Sequence, residues 1–248
     1  MKENKYDDPD FFKNYGQMRR SVGGLNAAGE WHVLQKMLPD FKGKKVLDLG
    51  CGFGWHCIYA KEQGAAQVIG VDLSAKMLAV AAEQSKGLQI EYLQLAIEDI
   101  DFSKDQFDIV ISSLAFHYVA DFQSILQKIN HCLKPGGSFI FSQEHPVFTA
   151  RAEQDWIRNE KGEILYWPLD QYQEQGIRQT SFLGHTVVKY HRTLENIFNS
   201  LIQTGFLIQQ VSEPKPSEET VAAYPEMEAE NKRPIFLMIS TIKTLSQL

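Results

Sequence analysis

Val46-Leu47-Asp48-Leu49-Gly50-Cys51-Gly52-Phe53-Gly54 decides the fold. A short apolar run, Lys45–Leu49, enters glycines at alternate positions. A helical pattern then runs from Trp55 to Gln63 and is closed by Gly64. Glycine is the residue for backbone that turns sharply or lies against a ligand. A strand that passes through such a turn into a helix opens a βαβ unit, and its turn sits at the carboxyl edge of the sheet.

Working outward, strand and helix signals alternate. Gln67–Asp72 is predicted as the second strand, with Ser74 capping a helix over Ala75–Gln84. Leu88–Leu93 and Phe107–Ser113 are the third and fourth strands. Asp121 caps a helix whose apolar face carries Phe122, Ile125, Leu126, Ile129 and Leu133. Pro135-Gly136-Gly137 breaks it ahead of a fifth strand, Ser138–Ser142. Thr193 caps a helix with Leu194, Ile197, Phe198, Leu201 and Ile202 on one face, and Gly205 ends it. Phe206–Val211 and Ile235–Ile242 complete the strands, with Glu213–Arg233 between them as a long surface loop. Upstream of the core, Asn26–Leu38 has the spacing of an amphipathic helix. The expected fold is α/β: a Rossmann-like, doubly wound, mostly parallel sheet of about seven strands with the last strand antiparallel. Residues 1–40 are expected as an N-terminal helical lid segment and 41–248 as the Rossmann-like domain. An aperiodic insertion over 146–190 is expected to form part of an acceptor pocket.

Asp72 ends the second strand 18 residues beyond Gly54. That is where an acidic residue accepts hydrogen bonds from ribose hydroxyls in dinucleotide sites. Glycine loop and acid together fit any adenosine-containing ligand. The spacing is G-x-G-x-G, with Trp55 at the sixth position, and Asp48 stands just before it. A carboxylate there repels a pyrophosphate and suits a ligand that carries an ammonium and a sulfonium. The charge therefore favours S-adenosylmethionine over NAD(P), and an NAD(P)-binding oxidoreductase is the rival reading.

VLDLGCGFG, VDLS followed by Met77-Leu78, FDIVISSLAFHYV and LKPGGSFIFS resemble successive motifs of class I S-adenosylmethionine-dependent methyltransferases, especially the ubiquinone-biosynthesis-like small-molecule group. The resemblance covers Lys42 to Ser142, with a looser match from Tyr190 onward. It implies that Asp48, Gly50, Cys51, Gly52 and Gly54 hold the methionine part and that Asp72 binds the ribose. Leu73 and Met77 would flank the adenine. Where the family often has Gly-Asp-Ala-Glu, this chain has Leu95-Ala96-Ile97-Glu98, so adenine recognition moves to the Ile97 backbone and to Glu98 or Asp99. Ser113 would line the methionine end, and Tyr15 would fold over the cofactor.

Methyl transfer from a sulfonium needs positioning first and a base only for a protonated acceptor. His117 and His145, beyond the fourth and fifth strands, are the candidate catalytic residues. Glu144, Tyr190 and His191 lie at similar edges, and Arg19 and Arg20 are candidates for holding an acidic substrate. Trp156, Trp167, Tyr166 and Tyr172 are aromatic candidates for walling the acceptor. The expected reaction carries the methyl to an O, N or C nucleophile of a small molecule and yields S-adenosyl-L-homocysteine. A non-catalytic S-adenosylmethionine-binding protein is the further alternative.

A formal net charge of −6 argues against a broad phosphate-binding surface, and the fourth strand is followed by Ser112-Ser113-Leu114-Ala115 rather than an Asn/Asp-Pro-Pro-Tyr motif. No nucleic acid partner is expected. Three cysteines without C-x-x-C spacing imply no disulfide framework and no metal. No apolar run spans a bilayer. A cytoplasmic monomer or homodimer is expected.

Overall fold

The structure is a computed structural model and describes residues 4–245. A 3-10 turn, Lys5–Asp7, leads into α1 (Pro9–Gly16), α2 (Arg19–Gly23) and α3 (Trp31–Met37). Asp8 starts α1 by accepting the N–H groups of Asp10 and Phe11, each at 3.0 Å, with Pro9 in the first turn. The core then runs β1 (Lys45–Leu49), α4 (Trp55–Glu62), β2 (Gln67–Asp72), α5 (Ala75–Gln84), β3 (Glu91–Gln94), β4 (Phe107–Ser113), α6 (Phe122–Cys132) and β5 (Leu133–Glu144). Beyond it come α7 (Pro146–Thr149), two hairpins made of β6 (Ile157–Arg158) with β7 (Ile164–Tyr166) and β8 (Gly176–Phe182) with β9 (His185–His191), then α8 (Leu194–Gln203), β10 (Phe206–Ser212), α9 (Glu218–Ala223) and β11 (Phe236–Lys243).

Seven strands form one sheet in the order β10-β11-β5-β4-β1-β2-β3. The pairs from β5 through β3 are parallel, and β11 runs antiparallel to both of its neighbours. Alternate residues feed two cores. Leu47, Val110 and Phe139 pack under α6 and α8, against Ile125, Leu126, Ile129, Ile197 and Leu201. Val46, Ile109 and Ile140 pack on the other face, under Trp31, Leu34 and Met37 of α3 and Cys57 of α4. Each large side chain so buried contributes roughly 1.5–3 kcal/mol. The chain builds β1, β2 and β3 outward, then crosses back to place β4 on the other side of β1. The crevice of a doubly wound sheet opens at that reversal, outside the carboxyl ends of β1 and β4.

Several expected boundaries move. Asn26–Leu38 is not one helix: Gly24–Ala27 is a 3-10 turn, Ala28 is extended, and only Trp31–Met37 is α-helical. The third strand begins at Glu91 because Gly87 and Gln89 take left-handed backbone (φ 91° and 54°), which ladder pairing does not admit. The fifth strand spans Leu133–Glu144, with Pro135-Gly136-Gly137 as an irregularity in its pairing with β4. A Cβ on Gly137 would stand 2.9 Å from the Asp108 carbonyl oxygen, so only glycine lets the backbones approach there. Glu213–Arg233 carries α9 and a 3-10 segment, Pro225–Lys232, instead of an unstructured loop. Among the described residues no helix is long and apolar enough to cross a membrane.

Candidate active site

β1 ends in three left-handed glycines, Gly50, Gly52 and Gly54, with φ of 73°, 54° and 77°. They do different jobs. A Cβ on Gly50 would lie 2.6 Å from the Cβ of Ala115, so this glycine lets the loop after β4 close against the turn. A Cβ on Gly54 would strike the Tyr92 hydroxyl at 2.5 Å. A Cβ on Gly52 would meet nothing within 4 Å and would project into open space. Gly50, Cys51 and Gly52 line that space, whereas Gly54 does not.

Asp72, at the end of β2, ties the turn down. Its Oδ2 accepts the Gly52 N–H and its Oδ1 the Ser74 N–H, both at 2.9 Å. Burial pushes this carboxyl above its ordinary value in spite of those bonds. Asp48 stands behind the turn and is 1% exposed, outside the cavity lining. Its Oδ2 accepts from the Cys57 thiol at 3.3 Å, while Oδ1 is buried with no partner. Burial, with the Asp72 charge nearby, drives the Asp48 carboxyl up to about 7. The N–H groups of Gly50, Cys51 and Gly52 are taken by the Val71 carbonyl and by Asp72, so the side-chain charge the turn presents to the crevice is the Asp72 carboxylate, which fits a nucleoside that bears positive charge.

From this cradle a cavity of about 440 Å³ extends across the carboxyl edge of the sheet. Asp72, Leu73, Met77, Ile97 and Glu98 line one end. Ala96 also faces it, and Asp99 does not. Ser113 and Leu114 lie at the middle. The Leu114 backbone is left-handed (φ 54°), a conformation that costs a non-glycine residue about 1–3 kcal/mol. Its N–H donates to the Ser142 hydroxyl at 3.1 Å, which holds the bend.

The N-terminal segment covers this end. Asp7 Oδ1 accepts from the Ser74 hydroxyl at 2.6 Å and from the Lys76 N–H at 3.1 Å, which docks the segment on the start of α5. Tyr15 packs edge-on against Phe53 (5.8 Å) and Tyr6 (5.1 Å), and the Tyr6 hydroxyl lies 3.4 Å from that of Tyr118. Burial raises the hydroxyls of both Tyr6 and Tyr15.

The far end is built from side chains remote in sequence. His117 is buried, and its Nδ1 accepts the Glu144 N–H at 3.4 Å. Its Nε2 lies 4.0 Å from Glu144 Oε1. Burial pushes His117 down to about 4, so the ring is neutral near pH 7. Lys189, from β9, donates to Glu144 Oε1 at 2.5 Å and to Gln154 Oε1 at 3.1 Å. Gln154 Nε2 donates to Glu144 Oε2 at 3.2 Å and Thr180 Oγ1 donates to Gln154 Oε1 at 2.9 Å.

Other expected residues lie elsewhere. His145 caps α7 through Nδ1, which accepts the Val147 N–H at 3.0 Å, and its Nε2 is 2.8 Å from Glu213. It does not line the cavity. His191 braces the insertion, between Thr149 Oγ1 and the Tyr172 carbonyl, each at 2.8 Å. Trp156 and Trp167 do not wall the cavity: with Phe148 they enclose the Arg233 guanidinium, 4.9, 4.0 and 4.8 Å from the ring centres. Tyr166, Tyr172 and Tyr190 are absent from the lining too. Arg19 stacks on Tyr224 at 4.0 Å, whereas Arg20 does reach the cavity. Tyr6, Gln154 and Lys189 line it without having been singled out in the sequence. The signal for Lys189 is the alternation of β9, where Val187, Lys189 and His191 are the buried positions.

A Rossmann-like domain with a glycine cradle and a strand-end acid at the reversal of its sheet is a holder of an adenosine-containing ligand. Residues 47–141 match the methyltransferase domain family. A structure from Listeria monocytogenes, assigned to the S-adenosylmethionine-dependent methyltransferases, is 52% identical with a TM-score of 0.85 and covers 90% of this chain and 100% of its own. An S-adenosylmethionine-dependent methyltransferase from Mesorhizobium loti is 42% identical with a TM-score of 0.83, covering 88% of this chain and 100% of its own. An uncharacterised protein of Haemophilus influenzae is 38% identical over 222 residues, 86% of this chain and 87% of its own. The chain belongs to the S-adenosylmethionine-dependent methyltransferases, and S-adenosylmethionine is its cofactor.

Proposed function

We propose that the chain transfers the methyl group of S-adenosylmethionine to a nucleophile, O, N or C, of a small molecule bound at the far end of the cavity, releasing S-adenosyl-L-homocysteine. The observation that carries this reading is the continuity of one space: the glycine cradle opens without interruption onto the chamber of His117, Glu144 and Lys189. A non-catalytic cofactor binder has no use for that second chamber.

In this reading the Gly50–Gly52 backbone and Cys51 receive the methionine part, with Ser113 at its end. Asp72 accepts from the ribose hydroxyls, and its two backbone bonds aim the carboxylate. Leu73 and Met77 clamp the adenine, with the Ile97 backbone and Glu98 at its edge. Asp48 and Gly54 support the turn from behind. When bound, the cofactor supplies a methyl already activated by positive sulfur. The chain's task is to align the nucleophile and keep water out. Tyr6 and Tyr15, held over the cradle by the Asp7 docking, exclude solvent, and β8–β9 of the insertion walls the acceptor.

Thermal melting in the presence of S-adenosylmethionine, S-adenosylhomocysteine and NAD tests the cofactor half. A ligand at about 100 times its Kd adds about 2.7 kcal/mol. The first two are expected to raise Tm and NAD to leave it unchanged; the reverse result overturns the reading. Label from methyl-labelled cofactor, followed into a panel of small acceptors, tests the transfer half, and retention of all label on the cofactor favours the binder.

A further inference from the structure

We propose that the acceptor is a carboxylic acid with an apolar tail, methylated on its carboxylate oxygen, and that Lys189, Arg20 and the Nε2–H of His117 receive its head. This rests on the reading that the other end of the cavity takes S-adenosylmethionine.

The far chamber is rich in N–H donors. Lys189 is 2% exposed and spends two of its three N–H groups, on Glu144 and Gln154. Arg20 donates from Nη2 to Glu30 Oε1 at 2.6 Å, and a guanidinium has four further N–H groups. His117 accepts at Nδ1 from the Glu144 N–H, so the neutral ring carries its proton on Nε2 and acts as a donor. The carboxylate beside them is already engaged: Glu144 Oε1 accepts from Lys189 and Oε2 from Gln154. Phe148, Phe182, Val187 and Phe236 supply apolar wall next to these heads. A donor cluster beside an apolar wall suits an anionic head on an apolar tail, whereas an ammonium head would find the Glu144 and Glu30 carboxylates already paired with Lys189 and Arg20.

The titratable groups agree. Burial, with the charges of Lys189, Arg192 and Arg20, outweighs the Glu144 carboxylate and keeps His117 neutral and unprotonated down to about 4. Burial raises Glu144, but His117 and Lys189 beside it, and the hydrogen bonds from Lys189 and Gln154, leave it below the ordinary carboxylate range. Tyr6 and Tyr15 are pushed upward by burial. None of the four is tuned to take a proton from an alcohol, phenol or ammonium near pH 7. A carboxylic acid, with an ordinary value near 4, arrives already ionised. An oxygen lone pair forms the new O–CH3 bond as the S–CH3 bond breaks, and the bonding pair remains on sulfur. Carboxylate and sulfonium become neutral ester and thioether, and no proton moves.

The test is calorimetry on the protein loaded with S-adenosylhomocysteine, titrated with 4-phenylbutyrate and octanoate and with their amides and amines. The acids are expected to bind at least about tenfold more tightly than the amides, and the amines more weakly still. Lys189→Met alone leaves Glu144 buried without its partner, so the decisive variant is Lys189→Met with Glu144→Gln, which removes both charges. It is expected to cut the acid-over-amide preference to below about threefold while S-adenosylhomocysteine affinity is retained. Amides or amines that bind as tightly as the acids, or loaded protein that binds no acid, overturn the inference and leave the cofactor reading intact. Failure of S-adenosylhomocysteine itself to bind sinks the cofactor reading instead. Methyl label from S-adenosylmethionine that alkali releases as methanol would identify the ester directly.

Discussion

The two ends of the cavity are made differently. The cradle is backbone: the turn between β1 and α4, its glycines and one strand-end carboxylate, all within Leu49–Ser74. The acceptor chamber is side chains brought together from Arg20, His117, Glu144, Gln154 and Lys189. Backbone geometry is enforced by local sterics, whereas a buried ion pair is enforced by the cost of leaving either partner alone. The two ends therefore break in different ways, and variants separate them.

Lys189→Met is expected to have the largest effect. It leaves the Glu144 carboxylate buried without its cation, and losing one partner of a buried pair costs about 3–5 kcal/mol. Urea unfolding should show that loss, and adding Glu144→Gln should recover most of it. A variant as stable as the parent would show that the chamber is not braced by this pair. S-adenosylhomocysteine affinity of the folded fraction should hardly move, since the pair lies outside the cradle.

Asp72→Ala should do the opposite. Hydrogen bonds to a charged group contribute about 1.5–3 kcal/mol each, and the ribose offers two hydroxyls. S-adenosylhomocysteine affinity is expected to fall at least about 100-fold by calorimetry. Unaltered affinity would remove Asp72 from the ribose.

This division also explains what could be read in advance. The cradle was legible because its residues are contiguous and each has a local reason: positive φ at Gly50, Gly52 and Gly54, and a strand-end position for Asp72. The sheet was legible for the same reason, since each apolar run is bounded by its own cap or glycine, as with Ser74, Asp121 and Thr193, whose side chains each accept a backbone N–H. The chamber was legible only in part: His117, Glu144 and Arg20 stand out as candidates, whereas Gln154 and Lys189 do not. Glu144 and Lys189 meet across 45 residues, and nothing local pairs them. The insertion looked aperiodic because β9 turns its charged residues inward: Lys189 and His191 occupy the buried positions that a strand usually fills with apolar side chains. His117 and His145 both stand just past a strand of the sheet, and of the two the sequence favours His117, since Pro146 follows His145. Only tertiary packing aims the first into the cavity and ties the second to α7 and Glu213.

Two glycines sharpen the contrast within the cradle. Gly50→Ala pits a Cβ against Ala115 at 2.6 Å on top of left-handed backbone, and should lower stability by about 1–3 kcal/mol. Gly52→Ala has room, so its strain is nearer 1 kcal/mol. Its methyl occupies ligand space, and S-adenosylhomocysteine affinity should fall about tenfold. If Gly52→Ala binds S-adenosylhomocysteine as well as the parent does, the ligand does not lie against that backbone.

A pH-dependent effect probes the carboxylate behind the loop. Asp48 titrates at about 7 in the fold against an ordinary 3.8, so the folded chain keeps a proton that the unfolded chain has released. A raised value of this kind contributes stability below about pH 4 that is lost as pH rises through about 7. Asp48→Asn keeps an oxygen to accept from Cys57 and removes the titration, so the stability of the variant should vary less between pH 4 and 7 than that of the parent, as read by urea midpoints. Bound S-adenosylmethionine brings positive charge to the neighbouring cradle and favours the ionised acid, so saturating cofactor should shrink the same slope in the parent. A parent slope that the cofactor leaves untouched would place the positive end of the ligand away from Asp48, and would break the link between the buried acid and the cradle it supports.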